Sequence, residues 1–449
     1  MKKIHTTACG TEPYDKNYGI GYKVGHSSWT PYPRVERLMK AFFAKPYDID
    51  LQRLRLVTEA YKQHEDCSRK LQCAYAFENV LENVDLEIYD DDLIIGEIAA
   101  PGKAAPIYPE FSVKWIIDEV LHYPFEERPH DQYYMRSDED RRELVELCKY
   151  WEGKTVCDYV DSRLDEAQRI GSQSGEKIFQ TNLYHYAGVG HYTIDYVRLM
   201  KLGYPGIIQE VDEAYARLTK KDPEYDEKRD EYEASLMMLK ASQKYLLRYA
   251  DLAEKKARAE DDTKRKGELK TIAENCRQIS AGTPQTFWQA LQLFSVATSL
   301  LQIESNGHSL SYGRMDQWLY PFYEADMKNG TITKDFAQEL LEVQYVRLNN
   351  PTKLKDRGTI VVRNGRNWGG ECLTIGGVDR AGNDVTNDLT FMFLEASVHT
   401  RMERPWLLVR MHEKTPYELK VKAVECIRAG YGHPKLFNDE PTIRSFEKK

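Results

Sequence analysis

The run TFWQALQLFSVATSLLQ, residues 286–302, carries no charge on any side. A helix without a charged face is expected to be covered all round, so this stretch demands a chain large enough to wrap it. At 449 residues, 41% hydrophobic and 11% aromatic, the chain can do so as one very large domain or roughly two to three ordinary ones. No Gly/Ser or Pro linker separates autonomous parts, which favours one unit.

The segment after that helix is unusual for a chain leaving a core. IESNGHSLSYGRMDQ, residues 303–317, places Glu304, Asn306, His308, Ser309, Arg314 and Asp316 where a simple solvent cap would suffice. Buried polar groups must be paired. A ligand with several hydroxyls would pair them; so would a helix C-cap at Asn306–Gly307 with Arg314 and Asp316 as an ion pair. Residue types alone leave both readings open. A second cluster, NLYHYAGVGHYTIDY over residues 182–196, has two glycines around Val189 leading into His191. Glycines so placed suit a loop whose backbone comes close to something, and His191 is either a catalytic or a structural histidine.

Charge narrows the partners. The net charge of -8 comes from acids and bases interspersed along the chain, so no basic face exists to neutralise nucleic-acid phosphates. Small molecules or proteins are the expected partners. No run approaches the roughly 18 apolar residues of a membrane span, and MKKIHTTACG lacks an apolar signal region, so the cytoplasm is the expected location. Eight cysteines are scattered singly, without zinc-knuckle or Cys-x-x-C pairing; most are expected to be reduced core thiols. Zinc-peptidase, P-loop and Gly-x-Ser-x-Gly motifs are absent. No spacing recommends a metal site at His191, His308 and His399, and none is expected.

The order of elements points to an α/β fold. After an aperiodic arm, helices are expected from about Asp48, with one over KLQCAYAFENVLENV; DLIIGEIAAPGKAAPIYPEF reads as a strand and loop. Asp222–Ile279 reads as a long amphipathic helix or a pair, with Leu239, Ser242, Leu246, Tyr249 and Ala253 on one face. GTIVVRNG, CLTIGGVD and PWLLVRMH then alternate as strands with the helical patterns LTFMFLEASVH and YELKVKAVECIRAG. That alternation argues for parallel strands in a layer or barrel. A last helix is expected to start near Asn438 or Asp439, with Pro441 in its first turn.

The segments DDLIIGE, YPEFSVKW, YHYAGVGHYTIDY, TFWQALQLF, IESNGHSLSYGRMDQWLYPFYEAD, TIGGVDRAGNDVTNDLTFMFLEA and GYGHPKLFNDE stand in one order along residues 35–449. In that order they resemble the N-terminal part of a glycyl radical enzyme of the pyruvate formate-lyase-like superfamily, most of all its glycerol and 1,2-diol dehydratase branch. The resemblance implies a ten-stranded α/β barrel with helices outside, a domain over residues 35–449 and an arm over 1–34. It implies elimination of water from a small polyol to give an aldehyde, begun by a thiyl radical. His191 then corresponds to the acid or hydrogen-bond donor at the leaving hydroxyl, and His308 and Ser309 to the residues that hold the substrate hydroxyls. No directly bound cofactor is implied; a radical S-adenosylmethionine activating enzyme installs the glycyl radical, and the enzyme is a homodimer. The family's Gly-Cys-Val-Glu-like and Arg-Val-x-Gly-Tyr motifs do not occur here, and Cys372 and Cys426 fall in a strand and a helix, so this stretch by itself is expected not to turn over substrate. Tyr312 stands where many diol dehydratases have Pro or Ala, which points to a different pocket. Two other outcomes are a related C–N, C–S or C–C lyase, or a non-catalytic binding protein.

Overall fold

The computed structural model describes residues 29–128, 132–173, 178, 188, 190–307, 309–358 and 371–447. Helix α1 (Pro33–Ala44) starts earlier than the sequence pattern suggests. Its proline reads as a loop signal, yet at the first helical position the missing N–H breaks no bond. Val35, Met39 and Phe42 turn inward from it. Strand β1 (Asp48–Asp50) leads into α2 (Gln52–Gln63) and α3 (Arg69–Asn83), the latter capped by the Ser68 side chain.

The strand read in DLIIGEIAAPGKAAPIYPEF falls in its later half and not at the apolar run Leu93–Ile95. The short strand of this region is β2 (Ala104–Pro106), parallel to β1, while Leu93, Ile94 and Ile95 are fully buried without a ladder. The backbone of Ile95 is satisfied by one side chain. Ile95 donates its N–H to Gln292 Oε1 at 2.9 Å and its carbonyl accepts from Gln292 Nε2 at 2.8 Å. A buried primary amide offers the same donor and acceptor as a neighbouring strand.

Helix α4 (Tyr196–Ala216) precedes the charged region, which is a pair, α5 (Tyr225–Ala259) and α6 (Thr263–Ala281), packed along one another. Ser242, Leu246, Tyr249 and Ala253 are buried along α5 and Leu239 is half-buried, as their spacing predicts. The uncharged run is α7 (Phe287–Glu304), enclosed by α4, α6 and α8 (Lys334–Arg347).

Four parallel strands form the main sheet in sequence order: β3 (Ser311–Arg314), β4 (Cys372–Gly376), β5 (Trp406–Met411) and β6 (Lys435–Asn438). Helices α9 (Asp388–Thr400) and α10 (Tyr417–Arg428) cross over between β4, β5 and β6. This is the α/β architecture expected from the alternating pattern. As described, the sheet is open, with β3 and β6 at its edges; GTIVVRNG lies outside the described residues after Gly358. Lys435–Asn438, read as part of a turn, gains its strand character from the ladder to β5. Helix α11 (Asp439–Glu447) begins at the expected point, with Asn438 Oδ1 accepting from Glu440 N at 3.2 Å.

None of the seven described cysteines is in a disulfide. Cys148, Cys276 and Cys426 are core thiols, whereas Cys73 is exposed and Cys67, Cys157 and Cys372 are half-buried. Among the described residues no helix is long and apolar enough to cross a membrane.

Candidate active site

Helix α7 ends with carbonyls that have no partner of their own. The cap read at Asn306–Gly307 does not form: the residue after the helix is Ser305, in extended conformation (φ -128°, ψ 129°). The carbonyls are met from outside instead. Arg53 of α2 donates through Nε to Ile303 O at 2.8 Å and through Nη2 to Glu304 O at 3.4 Å, and Tyr108 donates its hydroxyl to Gln302 O at 2.5 Å. The Arg53 guanidinium lies 3.9 Å from the Tyr108 ring centroid and is held by Glu110, with Nη2 to Oε1 at 2.5 Å. A buried cation therefore sits at the negative end of the core helix.

Freed from capping, residues 305–310 meet the second polar cluster. The Tyr192 carbonyl accepts from Ser311 N at 3.1 Å, and the Tyr192 hydroxyl donates to Ser305 Oγ at 3.2 Å. Gly188 has φ +102°, and a Cβ there would stand 3.0 Å from the Asn306 carbonyl carbon. The close approach that the glycines suggest is thus an approach to Asn306. Tyr196 anchors the loop: its hydroxyl lies 3.1 Å from Thr298 Oγ1 on α7 and its ring stacks on Trp318 at 5.1 Å. Asp195 caps α4 by accepting from Arg198 N at 3.0 Å.

The candidate residues fall where these loops join. His191 is exposed and Ser309 half-buried, each on its own loop; His308 lies outside the described residues. His191 (φ 60°) and Ser309 (φ 56°) are two of the five non-glycine residues with left-handed backbone among the described residues. Such conformations cost of order 1–3 kcal/mol each and persist where the surroundings impose them, often at functional sites.

Four other residues that the sequence raised are structural. Arg314 and Asp316 bind the backbone around the end of β4 instead of each other: Arg314 donates to Gly376 O at 2.6 Å and Val378 O at 2.9 Å, and Asp316 accepts from Gly376 N at 2.8 Å and Thr390 Oγ1 at 2.7 Å. Burial pushes Asp316 up to about 6. Tyr312, expected to alter the pocket, is 1% exposed and packs edge-on against Phe294 of α7, ring centroids 5.1 Å apart. His399 pairs with Glu342 of α8 at 2.6 Å. Among the described residues no group of His, Cys, Asp or Glu is placed to hold a metal ion.

Sequence reading missed Arg53 and Lys353. The buried segment 351–355 runs beside the 305–310 loop, and Lys353 Nζ donates to the Gly307 carbonyl. Burial lowers Lys353 well below the usual lysine range, Lys355 adding to the effect, and burial brings Lys355 itself down to about 7. The available signal was the stretch PTKLKD: lysines in a Pro-led run with neither helical nor strand period. On the side of Tyr192 and Ser305 facing α2 and α3 there is a cavity of about 660 Å³, lined among others by Arg53, Tyr61, Phe77, Glu110 and Trp151.

Residues 28–449 match the family model described as pyruvate formate lyase-like. The chain is 66% identical over 449 residues to the (2S)-3-sulfopropanediol dehydratase of Klebsiella oxytoca, covering 100% of this chain and 54% of that protein. Its fold is similar to the glycerol-bound B12-independent glycerol dehydratase from Clostridium butyricum (TM-score 0.88, 33% identity, 95% of this chain and 53% of that one). It is equally similar to a Roseburia inulinivorans structure described for 1,2-propanediol dehydration (TM-score 0.88, 33% identity, 93% of this chain and 49% of that one). The chain spans about half the length of the relatives it matches. A family match over nearly the whole chain shows that the chain belongs to the pyruvate formate lyase-like family.

Proposed function

We propose that this chain carries the substrate-holding part of a glycyl radical dehydratase that removes water from a small sulfonated 1,2-diol. The observation that carries the reading is the 66% identity to a sulfopropanediol dehydratase over the full chain, against 33% to the glycerol dehydratase. It moves the substrate from glycerol or 1,2-propanediol to a diol bearing a fixed negative charge.

Charge around the site supports this. Lys353 lies within electrostatic reach of Lys355, Arg404 and Arg53, opposed by Glu371, and Arg53 is opposed by Glu110. Arg404 is already paired with Glu371, Arg53 with Glu110, and Lys355 faces Asp356, so the support rests on Lys353, whose charged form an anionic ligand would favour.

In this reading His191 donates a hydrogen bond or proton to the departing hydroxyl, which is a poor leaving group without one. Ser309 and His308 hold the hydroxyls so that the reacting C–H keeps one orientation. The radical loops of the family supply hydrogen abstraction. The reading extends to a cytoplasmic homodimer and to activation by a radical S-adenosylmethionine enzyme.

The test is anaerobic turnover by the activated full-length gene product, offered (2S)-3-sulfopropanediol, glycerol, 1,2-propanediol and isethionate separately. Aldehyde from the sulfonated diol, at a kcat/KM well above that for the other diols, is expected. Preference for an uncharged diol would sink the substrate assignment, and sulfite from isethionate without aldehyde from any diol would replace the dehydratase by a C–S lyase.

A further inference from the structure

We infer that Lys353 is a positioning residue: it holds the substrate loop in place through the carbonyl of Gly307. This rests on reading residues 305–310 as that loop.

No helix or strand secures these residues. Their described fixings lie at the two ends, where Tyr192 donates to Ser305 and Leu310 O accepts from Cys372 N at 2.9 Å, and in the middle, where Lys353 reaches Gly307. Gly307 stands two residues before the left-handed Ser309, and the Asn306 amide oxygen is buried without a hydrogen bond among the described residues. A fixed Gly307 carbonyl therefore limits the rotation that would let Ser309 relax.

Lys353 can serve because its own backbone is fixed. The Tyr133 hydroxyl, on a side chain 1% exposed, lies 2.9 Å from Thr352 Oγ1 and donates to Lys353 O at 3.1 Å. Arg128 donates to Lys355 O at 2.8 Å and is itself held by Glu119 at 2.5 Å. A buried N–H donor makes a stronger bond to a carbonyl than it would in water.

The test compares wild type, Lys353→Met and Tyr133→Phe in the full-length protein. Hydrogen exchange is read first, without activation. Both variants should speed exchange in a peptide covering 304–311, about tenfold for Lys353→Met and less for Tyr133→Phe, while peptides of α5 and α6 keep wild-type rates. After activation, Lys353→Met should raise KM about tenfold for the diol that wild type turns over, as loosened orientation requires. Wild-type exchange at 304–311 in both variants, or faster exchange spread evenly over the protein in both, overturns the inference. If wild type turns over no diol while 304–311 still loosens selectively, the positioning role stands and the dehydratase reading falls.

Discussion

Arg53 donates its Nε hydrogen to the carbonyl of Ile303 at 2.8 Å, so the core helix α7 is finished by a residue from the second helix of the chain. Arg53→Met would leave the half-buried Glu110 beside an apolar group and two helix carbonyls without a donor. Removing one partner of a buried pair costs about 3–5 kcal/mol. The loss is expected in chemical denaturation, with Arg53→Lys recovering part of it; equal midpoints for wild type and Arg53→Met would contradict the capping role.

Ser309→Gly should separate stability from activity. Glycine adopts φ 56° freely, so the variant should gain about 1 kcal/mol of stability by relief of strain. Loss of the hydroxyl should lower kcat/KM about tenfold, the scale of one hydrogen bond. Ser309→Ala should show the activity loss without the gain, and calorimetry on the two variants distinguishes them.

Gly188→Ala meets two obstacles, a backbone at φ +102° and an Asn306 carbonyl carbon 3.0 Å from the new Cβ. The two polar loops must part to admit it. A shift of about 1 Å between reacting groups costs on the order of 10²-fold, so kcat/KM should fall by that order with secondary structure unchanged by circular dichroism. Wild-type kinetics would show that the loops need not touch.

Asp316 gives a pH signature. Burial raises its pKa from 3.8 to about 6, so between those values the folded carboxyl holds a proton that the unfolded one has released. Stability from this group therefore falls as pH rises from about 4 to about 6 and is level above. Asp316→Asn should remove that slope, and denaturation midpoints across pH 4–7 measure it.

Gln292→Met keeps the volume of a buried side chain but strips Ile95 of its donor and its acceptor. Leaving two buried backbone groups unpaired should cost about 2–4 kcal/mol. Thermal unfolding would show it, and a loss below about 1 kcal/mol would mean that water replaces the amide.

Many of the helices and two strands of the main sheet, β4 and β5, were legible from local pattern: α5 through Ser242, Leu246 and Tyr249, β5 through its apolar run after Pro405. What failed depended on distant partners. Leu93–Ile95 has the composition of a strand, and Gln292 on a helix almost two hundred residues later takes the place of a neighbouring strand. The helix-end polar cluster was singled out by residue type, yet Asn306–Gly307 does not cap α7, whose last carbonyls are met by Arg53 and Tyr108. Lys353 carried no period, so nothing local assigned its side chain a direction. The two clusters around His191 and Ser309 were visible by residue type; their union through Tyr192 and Ser311 required the fold.

The main sheet adds its strands in the order in which they occur in the chain. From β4 onward each strand lies beside one already synthesised, and Arg53, Tyr108 and Tyr192 likewise precede the helix end and loop that they secure. Assembly can therefore keep pace with the ribosome, each new segment docking on a finished surface. In a chain whose key contacts span two hundred residues or more, that direction turns slow long-range pairing into a series of additions at one growing edge.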